Sequence, residues 1–370
     1  MEALLAAAAL GLLVAALGAL LIVRSARLHA WWSADHDFSG PQKFHGRAVP
    51  RIGGLALWAG FVAASAVWLP QRPEHLPLLG GLLLFSLPVL GGGLWEDLTK
   101  RISPRRRMAL LAVGALAAAW GLEATISRTD IPGLDWIAAW PAGAVLLALF
   151  VVLGVSNAVN IIDGFNGLAS MCSVIMLAGL GAVALQVGDG AIAGAALLLL
   201  AATLGLFLLN YPLGLIFLGD GGAYFLGFML SELGILLLVR NPQVSPLFPL
   251  LLCGYPVVET LFSMYRRRVL RGRPMAAPDG VHLHSLIYRR LVRWAVGSRD
   301  ARELLRRNSL TAPYLWVACA LAVLPAVLFW RSSAALGICL LLYAGAYVSL
   351  YWRIVRFRAP RWLVRRPVLA

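Results

Sequence analysis

EALLAAAALGLLVAALGALLIV, residues 2–23, decides the class of fold. A helix crossing a hydrocarbon core needs about 20 apolar residues, and this run supplies them without interruption. No basic segment precedes it and Arg24 closes it, so it is expected to be a retained spanning helix rather than a cleaved leader. Working outward, runs of similar length and character recur at 52–70, 77–95, 107–122, 140–156, 167–186, 191–210, 221–239, 247–265, 312–331 and 333–352. Composition agrees: 60% of the residues are hydrophobic and 13% charged, against about 45–50% and about 25% in soluble domains. Strands are not required, because helices satisfy their own backbone hydrogen bonds in lipid. The expectation is an all-α polytopic membrane protein of about eleven transmembrane helices, forming one transmembrane domain over residues 1–370.

Arginine and lysine orient the chain. With residue 1 on the periplasmic side, the segments 24–51, 97–107, 157–166, 211–220, 266–311 and the tail from 353 face the cytoplasm. They hold 28 of the 32 basic residues, leaving Arg72, Arg128, Arg240 and Arg331 for the other side. The positive-inside rule therefore places the N-terminus in the periplasm and the C-terminus in the cytoplasm. The net charge of +15 is mostly this orientation signal, which argues against a nucleic-acid partner. Segment 266–311 is expected to be a basic cytoplasmic loop, and its amphipathic run Leu286 to Trp294 suits a helix lying at the interface. Cys172, Cys253, Cys319 and Cys339 all fall in apolar runs without metal-ligand spacing and read as packing residues.

Polar residues in such a chain carry the chemistry, since a mid-helix carboxylate costs about 2.5–3.5 kcal/mol to insert. Glu96-Asp97, followed by Lys100 and Arg101, ends the third run; these groups could hold a metal, activate a nucleophile or pair with one another. Asn157, Asn160 and Asp163 recur every three residues and share a helical face, and Asn166 continues the spacing past Gly164. Gly219-Asp220-Gly221-Gly222 opens a helix, where glycines permit close approach and the N-terminus favours an anion. His282 and His284 lie in the long basic loop and suit either phosphate contact or plain solvation. Lys43, His45, Arg47 and Arg51 precede the pair Gly53-Gly54 and suit phosphate contact. Glu232 and Glu259 lie inside apolar runs and receive no catalytic role. All the other motifs fall on the side assigned to the cytoplasm. Carboxylates for a hard cation, amides and glycines for phosphate, and surrounding cations suit transfer between two phosphate-bearing reactants.

At these residues the chain resembles the polyprenyl-phosphate N-acetylhexosamine-1-phosphate transferases. The resemblance covers about residues 40–290 and rests on an acidic pair three residues before Lys100, the loop Asn157-x-x-Asn160-x-x-Asp163-Gly164-x-x-Gly167-Leu168, the turn Gly219-Asp220-x-Gly222, and His282-x-His284. It implies attack of undecaprenyl phosphate on the β-phosphorus of a UDP-N-acetylhexosamine with release of UMP, at the cytoplasmic face of a bacterial inner membrane. This reaction would start a lipid-linked surface glycan such as an O-antigen. The implied catalytic residues are Asp97, Glu96, Asp163 and Lys100. Asn157, Asn160, Asn166, His282, His284, Lys43 and Arg47 are the implied substrate contacts. Asp220 and Asp163 are the implied ligands of Mg2+, and a homodimer is compatible with this reading. Glu96, Asn166, Ala223 and Ser285 depart from the family pattern, where aspartate, aspartate, serine and histidine respectively are usual. Two other classes stand beside this one: a secondary transporter, whose carboxylates would sit near the midplane between repeats, and a non-catalytic assembly partner.

Overall fold

The computed structural model describes residues 2–35, 48–272, 274, 280–292 and 301–358. It is a helical bundle: α1 (Glu2–Arg24), α2 (Ala26–Ser33), α3 (Gly53–Trp68), α4 (Leu76–Thr99), α5 (Pro104–Gly121), α6 (Leu134–Ala138), α7 (Pro141–Ile162), α8 (Leu168–Gln186), α9 (Gly190–Asn210), α10 (Gly219–Arg240), α11 (Leu247–Leu252), α12 (Gly254–Tyr265), α13 (Leu283–Leu286), α14 (Ala301–Leu328) and α15 (Ser333–Val355). The one strand pairing among the described residues is a two-residue antiparallel ladder, β1 (Ala34–Asp35) with β2 (Val49–Pro50). Among the described residues nine helices are long and apolar enough to span a membrane: α1, α3, α4, α7, α8, α9, α10, α14 and α15. This is an all-α, multi-pass membrane protein.

Two expected spans take another form. α5 begins at Pro104 and carries Arg105, Arg106 and Arg107 in its first turn, with Ser103 accepting the Arg106 amide at 3.3 Å. The run 247–265 breaks at Cys253 into α11 and α12. Pro256 has no N–H to offer the carbonyl of Leu252, which ends the first segment there. The basic stretch expected at 266–311 is also more helical than its sequence suggests, because α14 starts at Ala301 rather than at 312. The run expected to lie at the interface is drawn inward instead: Leu283, Leu286, Ile287, Tyr288 and Leu291 are all buried, while Trp294 lies outside the described residues.

α10 is the axis. Its spanning window is 89% buried, against 11% for α15 at the rim. A helix apolar on every face belongs at the centre of such a bundle. Small residues let the neighbours close on one another, as membrane helices do without a hydrophobic drive. Gly11 and Ala15 of α1 meet Gly60 of α3, where a Cβ would lie 2.6 Å from the Gly11 carbonyl oxygen. A Cβ on Gly54 of α3 would lie 2.3 Å from the Gly222 nitrogen, and one on Gly93 of α4 would lie 2.5 Å from Gly221. The first turn of α10 is therefore wedged between α3 and α4. Backbone hydrogen bonds finish the join: Phe217 N–H to the Pro50 carbonyl (2.9 Å), Gly53 N–H to that of Phe217 (3.1 Å) and Gly54 N–H to that of Leu218 (2.9 Å).

Candidate active site

The wedge brings Asp97 under the N-terminus of α10. Its carboxylate, fully buried, accepts the Asp220 amide at 2.9 Å and the Gly221 amide at 2.8 Å. The first amides of a helix have no partner within it, and a carboxylate from another helix supplies one here. Gly219 makes the approach possible. Its φ is +75°, and a Cβ would lie 1.8 Å from the Arg51 carbonyl oxygen and 2.7 Å from Asp97 Oδ2, so no other residue suits the position.

Asp220 is where distant segments meet. Arg107 Nη1, from the first turn of α5, donates to its Oδ2 at 2.6 Å. Asn160 Nδ2, from the last turn of α7, donates to Oδ1 at 3.1 Å. Arg51 Nη2, from the segment before α3, lies 3.4 Å from Asp220 Oδ1 and 3.7 Å from Asp97 Oδ1. One helical turn back, Asn157 Oδ1 accepts the Tyr224 hydroxyl at 3.3 Å, and the Arg107 guanidinium sits over the Tyr224 ring at 5.0 Å. Asn157 and Asn160 thus share a face, as their spacing requires.

Asp163 follows the end of α7 and is half-buried. Burial and the neighbouring Asp220 carboxylate push it up to about 7, against the opposing pull of Arg51 and the Gly219 amide. Three carboxylates, Asp97, Asp163 and Asp220, face two guanidiniums, Arg51 and Arg107. The cluster carries an acidic excess, and the raised Asp163 is where it shows. Asp163 and Asp220 with the Asn160 amide are hard oxygen donors, and Mg2+ is commonly held by one or two carboxylates with water and phosphate completing the octahedron. Among the described residues no group of three or more His, Cys, Asp and Glu forms a metal cage by itself.

Other expected residues lie elsewhere. Asn166 leaves the polar strip: Gly164 ends the helical spacing, and Asn166 is buried against α14. Its amide donates to Asn308 Oδ1 at 2.8 Å and its Nδ2 to Ser309 Oγ at 3.3 Å. Glu96 is adjacent to Asp97 but about 100° round the helix, and its Oε2 accepts the Ile102 amide at 3.1 Å. Lys100 closes α4 at φ 52°, exposed, with its amide on the Glu96 carbonyl at 2.8 Å. His282 and His284 are not solvated; both are buried, with rings stacked 5.1 Å apart. His284 abuts the turn after Asp163, 5.5 Å from the Phe165 ring and against Gly164. Lys43 and Arg47 lie outside the described residues.

Sequence reasoning overlooked Arg107 and Tyr224, and it noticed Glu259 but gave it no catalytic role. Arg107 is the last of three consecutive arginines, and orientation by charge explained all three equally well. Glu259, with Ser263 one helical turn on, carried the one available signal: two polar groups on one face of an apolar run.

The fold defines a polytopic membrane protein with a carboxylate–arginine cluster at one end of its bundle. The family model for glycosyl transferase family 4 matches residues 79–238, the stretch from α4 to α10 that holds Asp97, Asn157, Asn160, Asp163 and Asp220. The chain is 31% identical over 256 residues to a probable undecaprenyl-phosphate N-acetylglucosaminyl 1-phosphate transferase of Bacillus subtilis (strain 168), covering 67% of this chain and 68% of that protein. It is 36% identical over 228 residues to a phospho-N-acetylmuramoyl-pentapeptide-transferase of Synechococcus sp. (strain RCC307), covering 58% and 60%. It is 29% identical over 261 residues to an undecaprenyl-phosphate alpha-N-acetylglucosaminyl 1-phosphate transferase of Thermotoga maritima, covering 70% and 74%. The chain belongs to glycosyl transferase family 4, in the superfamily of polyprenyl-phosphate sugar-1-phosphate transferases.

Proposed function

We propose that this protein transfers an N-acetylhexosamine-1-phosphate from a UDP-sugar to undecaprenyl phosphate, with Mg2+, at the cytoplasmic face of a bacterial inner membrane. The product would begin a lipid-linked surface glycan of the O-antigen kind. The named relatives act on undecaprenyl phosphate or belong to the pentapeptide-transferring branch, which supports the reaction class. The observation that carries the reading is the acidic excess around Asp220, in a cluster assembled from five separate segments at one end of the bundle.

In this reaction an oxygen of the lipid phosphate forms a bond to the β-phosphorus of the donor. The bond from that phosphorus to the bridging oxygen breaks, and UMP leaves with the electron pair. A phosphate monoester has its second ionisation near 6, so the nucleophile is already anionic at neutral pH. Charge repulsion is the obstacle, and Mg2+ held by Asp163 and Asp220 would neutralise it. Asn160 and Arg107 fix Asp220 in place, Asp97 anchors the helix that carries it, and Arg51 and Arg107 supply fixed positive charge beside the phosphates. The polar cluster lies at helix ends rather than mid-helix, which leaves the transporter reading without support.

The test is UMP release by the purified protein with undecaprenyl phosphate, Mg2+ and a panel of UDP-sugars. A folded protein that releases UMP from none of them ends the proposal.

A further inference from the structure

The histidine loop is gripped by a buried carboxylate. Glu259 of α12 is fully buried, and its Oε1 lies 2.9 Å from His282 Nδ1. Its Oε2 accepts the Tyr347 hydroxyl of α15 at 2.7 Å and the Leu283 amide at 3.2 Å. Ser263, one turn along α12, donates to Glu259 Oε1 at 3.2 Å and lies 3.0 Å from the same His282 nitrogen. The preceding residue is pinned as well: the Val281 carbonyl accepts from Arg266 and, at 3.1 Å, from the Tyr351 hydroxyl. Burying a carboxylate costs several kcal/mol unless its lone pairs are filled, and here they are filled by groups from α12, α15 and the loop itself. A carboxylate only accepts, so His282 Nδ1 carries a proton and Nε2 lies on the opposite edge of the ring. His284 stacks on that ring and touches the turn that follows Asp163.

We propose that Glu259, steadied by Tyr347, is a positioning residue that sets the ring orientation and tautomer of His282 for contact with the diphosphate of the donor nucleotide. The inference rests on the function proposed above and on the resemblance, which implies that His282 and His284 are substrate contacts. It gives α15, which lies beyond the stretch matched by the family model, a part in donor binding.

Two readouts test it. In UMP-release kinetics, Glu259→Gln should raise the donor KM about tenfold, the scale of losing a group that orients a ligand, with the lipid KM unchanged. Tyr347→Phe, which removes one hydroxyl and keeps the ring, should do the same more weakly. Glu259→Gln combined with His282→Gln should be no worse than His282→Gln alone, as expected of residues acting through one another. Additive losses, or equal effects on both KM values, would overturn the proposal. The second readout needs no turnover: in protein labelled with 15N-histidine, whose six histidines are assigned by loss of one signal set in His282→Gln, the wild type should show His282 protonated at Nδ1. Glu259→Gln should shift those ring-nitrogen signals, and unchanged signals would sink the inference. If wild-type protein releases no UMP from any donor, the functional reading fails, and these spectra still judge the positioning claim.

Discussion

α10 carries an aspartate–arginine cluster at each end, and the two behave in opposite ways. At its C-terminal end, Asp189 stands alone among donors. Arg240 reaches it at 2.7 and 3.3 Å, Asn241 at 3.1 Å, and the Ile192 amide at 3.2 Å, making Asp189 the N-cap of α9. Burial by itself would raise this carboxyl, but the bonds from Arg240, Ile192 and Asn241 outweigh it and hold it below its usual value. At the N-terminal end three carboxylates share two arginines, and Asp163 is driven up to about 7. An acid matched by its donors is a fastening; a group of acids that outnumbers its cations is poised for a ligand that brings positive charge.

The contrast can be broken most directly by neutralising each end. Asp220→Asn should lower UMP release by about a thousandfold, the scale of removing a charge that a metal and a transition state depend on, while the protein stays monodisperse with its Tm little changed. Asp189→Ala should lower Tm and leave turnover within about threefold, since capping bonds contribute about 0.5–2 kcal/mol to stability and nothing to chemistry. Reversed outcomes would end the distinction. Chelation by EDTA should abolish UMP release and added Mg2+ restore it; activity surviving chelation would remove the metal from the account.

Arg107→Lys should cost about tenfold to a hundredfold in turnover, because one ammonium cannot both bind Asp220 and lie flat on Tyr224. Unchanged turnover would mean that Arg107 merely balances charge.

The raised Asp163 makes a pH prediction. Its native value of about 7 exceeds the unfolded value, so the native state binds the extra proton between roughly pH 4 and 7. Metal-free protein should therefore lose thermal stability as pH rises through that window and level off above it. Mg2+ or Asp163→Asn should flatten the slope. A slope that persists in Asp163→Asn would assign it to another group.

The smallest effect on activity belongs to Asn166→Ala. It should lower Tm through the bonds lost to Ser309 and Pro212, worth about 1 kcal/mol each, and leave the donor KM unchanged. A raised KM would return Asn166 to the substrate set.

Much of this was legible before any coordinates. The spans were readable because transfer into lipid depends on local runs of apolar side chains, as in residues 2–23. The polar strip Asn157–Asn160–Asp163 was readable up to Gly164 because helical periodicity is also local. Asn166 was misplaced because the periodicity stops at that glycine, and the chain then turns through Gly167 at φ +70°.

By itself, the sequence determined that the chain crosses a membrane many times, which loops carry the positive charge, and which carboxylates stand at helix ends. These follow from composition and period over stretches of about 20 residues. Only the tertiary structure decided that Arg107 and Arg51 close on Asp220, that Asp97 reaches across to cap α10, that Asn166 turns away, and that Glu259 holds His282. Those pairings join residues up to 169 positions apart. They depend on how closely glycine-lined helices approach and on the angle at which each helix ends, neither of which has a period along the chain.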